Sequence, residues 1–453
     1  MSFVHLHTHS PFSFLDGASR LDSLVEEAAL QGMPALALTD HNNVSGAVRF
    51  HKKCLDAGLI PIQGAELTLQ GGHHLTLLST GPTGYANLCR IITAAHIGID
   101  PAHLGAGGLL SLAPGSERLQ PAAPPGVLSH DTDGLIALSG CRRGEIPALI
   151  LRGRMAEAEA AARRYAAWFP GRFYLEIQDD RLPGERMLHA AMRDLGEHLG
   201  LPLVATGNVH YRTREEFFVH DLLTCVRTLT RIDQPHPERR LNGENYMKPP
   251  KLMAERFRDL PGAVANTLRI AEQCSPSLTL DASLFPGYEV PQGMSAIGYL
   301  RELVYEGARR RYSRITTQVE TRLEHELRII EQLGYADYFL LVWDVARYAR
   351  SRGFRGAGRG SAADSAVAYC LFITDVDAIA RGLLFERFMS LERAEKPDID
   401  IDFDSRHRDE VADYVYRKYG YDKVAAVAAY NTFQARSAIR DLGKAMGFAE
   451  PEI

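Results

Sequence analysis

The 453-residue chain has no run of about 18 apolar residues, so nothing in it can cross a bilayer as a helix. It also lacks a basic start followed by an apolar stretch, the mark of a secretory leader. Its six cysteines (Cys54, Cys89, Cys141, Cys225, Cys274, Cys370) are scattered, with no CxxC pair. A disulfide framework is not expected, and a reducing cytoplasm is the simplest compartment. Nor is there an excess of positive charge, since 51 Lys and Arg against 56 Asp and Glu give a net charge of −5. No global basic field points to nucleic acid, although a local basic strip can sit on an acidic molecule. Internal repeats and charged tails are absent, and the length suits two or three domains.

What is present begins with repeated strand and helix signals over residues 1 to about 285. Short apolar runs (Ala35 to Thr39, Leu59 to Gln63, Leu75 to Leu78, Leu135 to Leu138, Phe173 to Ile177, Leu201 to Ala205) alternate with helix-period stretches such as Leu21, Leu24, Val25, Ala28, closed by Gly32. That alternation predicts a mainly parallel, barrel-like α/β domain. The Gly-, Pro- and Ala-rich stretch from Leu104 to Val127 reads as a surface loop or insertion. Pro286 and Pro291 mark a domain boundary, beyond which Leu323, Leu327 and Ile330 predict a helix ending at Gly334. Arg436 to Phe448 read as an amphipathic helix.

Fourteen of the 17 histidines fall in the first 220 residues, and the densest group is His5-Leu6-His7-Thr8-His9. On a strand the three imidazoles would share one face while Val4 and Leu6 point to the core. Three stacked imidazoles repel when protonated, so a shared cation is the expected tenant. Further candidates follow the apolar runs: Asp40 and His41, Glu66, His73 and His74, Cys141, His210. In (β/α) barrels strand ends form the active-site rim, and this mixture of imidazole, thiolate and carboxylate suits zinc, manganese or iron.

A second constellation lies near residue 400. Asp398, Asp400, Asp402 and Asp404 alternate with apolar residues and would line one strand face, roughly 7 Å apart. Like charges so placed call for compensating cations, and carboxylate oxygens suit Mg²⁺. About forty residues upstream, Gly356-Ala357-Gly358-Arg359-Gly360-Ser361 leads into small residues, Ala362 to Ala368, that predict a helix. Glycines permit close backbone approach, a helix N-terminus with free amides attracts phosphate, and Arg359 and Ser361 add donors. Arg347, Arg350, Arg352 and Arg355 form a cationic patch beside this loop that could meet a nucleic-acid backbone or a triphosphate.

The segments HLHTHSPFSFLDGAS, LTDHNN, GAEL, HHLTLL, LSGC and ATGNVHY, in this order, resemble the polymerase-and-histidinol-phosphatase (PHP) domain that opens bacterial C-family DNA polymerases. YFLLVWDV, GRGSAADSAVAY, LLFERF and PDIDIDFD resemble the palm of the same family. The resemblance implies a PHP-type distorted (β/α) barrel over 1–285, a partial α+β palm over 286–430, and the start of a truncated thumb over 431–453. It maps the metal ligands onto His7, His9, Asp16, His41, Glu66, His74, Cys141 and His210, with His5 and His73 supporting. The family pattern has a metal-binding Asp where this chain has Asn208, and a neutral amide oxygen should weaken at least one metal position.

In the palm the resemblance implies Asp400 and Asp402 as catalytic Mg²⁺ ligands, Arg359, Gly360 and Ser361 at the triphosphate, and Arg387 and Arg393 as weaker phosphate contacts. The expected function is the amino-terminal part of a DNA-directed DNA polymerase, a nucleotidyltransferase of replication or DNA repair. FSFLDGAS and FQARSAIRDLGKAMG are closer to the error-prone branch. The full enzyme would use primer-template DNA and deoxynucleoside triphosphates, and would meet a sliding clamp through regions later in the chain. The alternatives are a PHP phosphoesterase, either a 3′–5′ exonuclease or a pyrophosphatase, and a purely structural PHP module that binds Zn²⁺, Mn²⁺ or Fe²⁺.

Overall fold

The computed structural model describes residues 2–97, 121–280, 286–392, 397–420, 423–427 and 429–453. They fall into two compact units, one of residues up to 280 together with 429–453, the other of residues 286–427. The expected loop at Leu104 to Val127 lies mostly outside the described residues, as does Arg393.

The first unit is built on six strands in the order β1 (Ala35–Leu38), β2 (Ile60–Thr68), β3 (His74–Ser79), β4 (Leu135–Leu138), β5 (Phe173–Gln178) and β6 (Leu203–Thr206). Every expected apolar run forms a strand, but the sheet is mixed. β3 pairs antiparallel with both β2 and β4, while β1 with β2, β4 with β5 and β5 with β6 are parallel. Only five residues separate the end of β2 from the start of β3, too few for the crossover a parallel pair needs, so the chain turns back. The helix Leu21–Leu30 buries Leu21, Leu24, Val25 and Ala28 as their spacing predicts, and Gly32 ends it at φ +70°.

Residues 3–9 are not a regular strand, yet they bond on both sides. Ala37 and Thr39 donate to the carbonyls of His5 and Thr8, and Val209 donates to that of His7. The segment thus links the β1 edge to the chain following β6, carrying the curled sheet toward closure. Val4, Leu6, Ala35, Ile62, Leu78, Ile136, Leu138 and Val204 form one buried cluster, together with Ile270 and Ala271 of the helix Pro261–Glu272. A larger cluster fills the space under the flanking helices. The helix Ala435–Met446 packs on the helix Phe217–Thr228 through Leu222, Cys225 and Ala445. Ahead of it, Tyr430 lies 5.6 Å from Phe12 and 5.5 Å from Phe14, ring to ring, and pairs with the Ser45 hydroxyl. Residues 431–453, expected to start a thumb, therefore pack with the first unit.

The second unit gathers the helices Ala296–Arg311, Thr317–Leu333, Ala336–Ser351 and Arg408–Tyr419 beside the two-stranded sheet β7 (Gly356–Arg359) and β8 (Asp400–Phe403). Leu323, Leu327 and Ile330 are buried as expected, and Gly334 closes their helix at φ +74°. Asp344 is fully buried and joins two helices: it accepts from Arg347 Nη2 at 2.8 Å, Tyr414 Oη at 2.6 Å, Lys418 Nζ at 2.6 Å and Tyr419 Oη at 2.8 Å.

Candidate metal centre and carboxylate strand

In the first unit the candidate ligands meet because strand ends converge. His41 follows β1, Cys141 follows β4, and Asn208 and His210 follow β6. Because β3 runs antiparallel, its first residue, His74, arrives at the same end. Glu66 of β2 is the hub. Its Oε1 lies 2.9 Å from His74 Nδ1 and 3.6 Å from His7 Nε2, and its Oε2 lies 3.1 Å from His41 Nδ1 and 3.5 Å from His9 Nε2. Asp16 is a second carboxylate centre, with Oδ2 at 3.1 Å from His41 Nε2 and 3.0 Å from His210 Nε2. The Cys141 sulfur sits 3.5 Å from His74 Nδ1. His7, His9 and Glu66, then His9, His41 and His210, then His41, Glu66 and His74 each bring ligand atoms within 4.8 Å of one another.

Buried His7 Nε2, His9 Nε2 and Asn208 Oδ1 make no hydrogen bond, so this donor set fits a transition-metal ion. The charges are consistent with that. Burial would lower the pKa of His7, but Glu176 and Glu66 hold it at about 10; His41 is likewise held at about 9 by Glu66 and Asp16. Burial also works against ionisation of Glu66, yet His74, His7 and His41 keep its carboxyl well below the ordinary range. Protons stand here where a cation could.

His5 departs from expectation. Its ring does not share the face of His7 and His9 but bonds the Lys248 carbonyl at 2.9 Å, because residues 3–9 lack the regular pleat that alternation assumes. Several participants went unrecognised in the sequence. Glu176 of β5 receives His7 Nδ1 at 2.7 Å, whereas Asp40, already a candidate beside His41, accepts from the hydroxyls of Ser10 and Ser13, each at 2.7 Å. A lone Glu inside the apolar run FYLEI was a readable signal for the first. Arg240, 2.9 Å from His210 Nε2, and Arg227, 3.2 Å from Asp16 Oδ1, come from distant segments with no local signal. With Arg142, Arg143 and Arg239 they line an open cavity of about 520 Å³ over the ligands.

In the second unit the carboxylate strand is shorter than the alternation suggested. β8 begins at Asp400, and Asp404 lies beyond it, where it pairs with Arg406. Asp400 and Asp402 are exposed on β8, which runs antiparallel to β7 with Arg359 opposite Asp400. The glycine segment is itself a strand, followed by a one-turn 3₁₀ helix at Gly360–Asp364 and a short helix at Ala366–Cys370. The free helix amides expected to receive phosphate are taken: buried Glu326 accepts from Ala366 N and Val367 N, each at 3.0 Å. Gly360 and Ser361 sit one turn earlier, with Gly360 at φ +65°. The arginine patch is partly engaged as well, since Arg347 bonds Asp344 and Arg350 bonds the Phe372 carbonyl.

Residues 5–180 match the family described as PHP domain, and residues 298–453 match the bacterial DNA polymerase III alpha NTPase domain. Along all 453 residues the chain is 75% identical to an error-prone DNA polymerase of Symbiobacterium thermophilum, covering 42% of that protein. The chain belongs to the bacterial DNA polymerase III α family, the C family. It is 37% identical to the DNA polymerase III subunit alpha of Treponema pallidum, with 100% of this chain and 39% of that protein aligned. The Escherichia coli subunit alpha is 36% identical over 98% of this chain and 38% of its own length. The chain thus spans about two fifths of the curated relatives it matches.

Against the pattern expected of a C-family PHP domain, Asn208 sits in the cavity at φ +43° with its Oδ1 unpartnered. A carboxylate there would offset repulsion between cations, which a neutral amide leaves in force. Asn208→Asp should therefore bind one further metal equivalent or tighten a weak one, as read by elemental analysis and calorimetric titration. Unchanged stoichiometry and affinity would show that the amide oxygen already suffices.

Proposed function

We propose that this chain forms the PHP domain and the carboxylate-bearing part of the palm of an error-prone DNA polymerase working in the cytoplasm on primer-template DNA. The 75% identity along the whole chain to an error-prone DNA polymerase carries this reading. The geometry supports it: two carboxylates stand side by side on exposed β8, and the Gly360–Ser361 turn follows directly from the strand paired with it. Such hard oxygen donors suit Mg²⁺, which would neutralise developing charge on the transferred phosphoryl group and the attacking primer oxygen. Asp400 and Asp402 hold and orient the cations, while Gly360 and Ser361 offer the triphosphate backbone and hydroxyl donors with no side chain in the way at Gly360. Catalysis is then positioning and charge neutralisation. Template-directed incorporation by the whole gene product tests this: Asp402→Ala should abolish it, and retained incorporation would refute the assignment.

The cavity in the first unit favours a second, compatible activity. His7, His9, Asp16, His41, Glu66, His74, Cys141 and His210, with Asn208, would hold a transition-metal ion, Zn²⁺, Mn²⁺ or Fe²⁺, that supplies Lewis acidity. The arginines around them suit an anionic phosphoester. Hydrolysis that depends on His7 and His9 but not on Asp400 would establish this; metal binding with no hydrolysis would leave the domain a structural one.

A further inference from the structure

Arg359 closes β7, and its side chain reaches both proposed palm ligands. Its Nε donates to Asp402 Oδ1 at 3.0 Å, and its Nη1 lies 3.4 Å from Asp400 Oδ2. The other acid of this stretch that lies close by, Asp404, has its own partner in Arg406. One guanidinium therefore neutralises the pair of carboxylates that the palm reading assigns to metal. All three side chains are exposed, between 49% and 69%, so the contact is not locked by packing.

We infer that Arg359 is a removable counter-ion, which holds Asp400 and Asp402 until a nucleoside triphosphate arrives and then passes its guanidinium to the phosphates as the carboxylates take up divalent cation. This rests on the palm reading above. Arg359 and a cation compete for the same oxygens, so a cation alone binds weakly. A phosphate offers the same bidentate acceptor geometry as a carboxylate. The exchange needs little free energy, because an exposed ion pair shifts an equilibrium by no more than about fivefold. It also needs room. Gly360, the next residue, has nothing within 4 Å of where a Cβ would stand, and Ser361 follows with a further donor. Two consequences follow by linkage: triphosphate tightens cation binding, and cation tightens triphosphate binding. The palm then gathers its cations when substrate is present.

The test is Mn²⁺ binding to the full chain, followed by electron paramagnetic resonance of free Mn²⁺. Palm sites are counted as those lost in Asp400→Ala/Asp402→Ala. Without nucleotide, Arg359→Ala should bind palm Mn²⁺ about three- to tenfold tighter than wild type, since two exposed pairs no longer compete. Binding of an α,β-imido deoxynucleoside triphosphate should weaken by at least as much in the same variant, and Arg359→Lys should fall between the two. Unchanged or weaker Mn²⁺ binding in Arg359→Ala, or unchanged triphosphate binding, would overturn the exchange while leaving the palm reading intact. If the double aspartate variant loses no Mn²⁺ in either background, the palm reading itself fails and the exchange falls with it.

Discussion

Protein carrying both His7→Ala and His9→Ala should be purified without transition metal in its first unit, whereas the wild type should carry at least one equivalent of Zn, Mn or Fe. Both imidazoles are fully buried and aim unpartnered Nε2 atoms at the Glu66 hub, so their removal takes ligands from two of the three candidate groups. Wild-type content in the double variant would contradict the assignment. Metal bound a thousandfold above its dissociation constant stabilises by about 4 kcal/mol, so chelation should lower the melting temperature by roughly 10 °C. Metal binding must also displace the protons that Glu176 and Glu66 hold on His7, at about 10, and that Glu66 and Asp16 hold on His41, at about 9. Affinity should accordingly rise with pH between 6.5 and 8.5, and calorimetry in buffers of different ionisation enthalpy should register proton release. Flat affinity over that range would mean that the imidazoles are already neutral.

Asp344→Ala should produce the largest loss of stability in the second unit. Its carboxyl is fully buried, yet four donors from two helices converge on it. Removing it strands them at a cost of about 2–4 kcal/mol, below the usual figure for a broken buried ion pair because Arg347 and Lys418 can turn to water. Burial opposes its ionisation, but hydrogen bonds from Lys418, Tyr414, Arg347 and Tyr419 hold its pKa below the ordinary 3.8. A depressed carboxyl stabilises the fold above its unfolded-state pKa, so this contribution is present at neutral pH and is lost as acid protonates Asp344. Denaturant titration near pH 7 and below pH 3 checks both statements. An Asp344→Ala protein as stable as wild type at neutral pH would show that the hub contributes nothing net.

Much of this was legible from the chain alone where function depends on adjacency. The metal-site residues follow or open short apolar runs, so finding the strands placed His41, Glu66, Cys141 and His210 at one end without tertiary information, whereas His74, which opens β3, reaches that end only because β3 runs antiparallel. What stayed hidden depends on direction and distance. Apolar runs do not encode strand polarity, so the antiparallel β3 went unrecognised. Period-2 alternation assumes a regular pleat, which residues 3–9 lack, and this turned His5 away from His7 and His9. Glu326 lies some forty residues from the amides it occupies, so the short helix at Ala366 looked free to bind phosphate. Arg359, read as a phosphate donor, gave no sign that Asp400 and Asp402 already hold it.

The most direct test places both centres in one experiment: single-turnover nucleotide incorporation and phosphoester hydrolysis measured side by side on the whole gene product. Asp400→Ala should abolish incorporation, by a factor of about a thousand or more for a residue acting in the transition state. It should leave metal content and any hydrolysis at the first unit unchanged. His7→Ala/His9→Ala should empty the first unit of metal and remove that hydrolysis, while incorporation survives in whatever fraction remains folded. Incorporation that persists in Asp400→Ala would contradict the assignment of β8 as the polymerising strand.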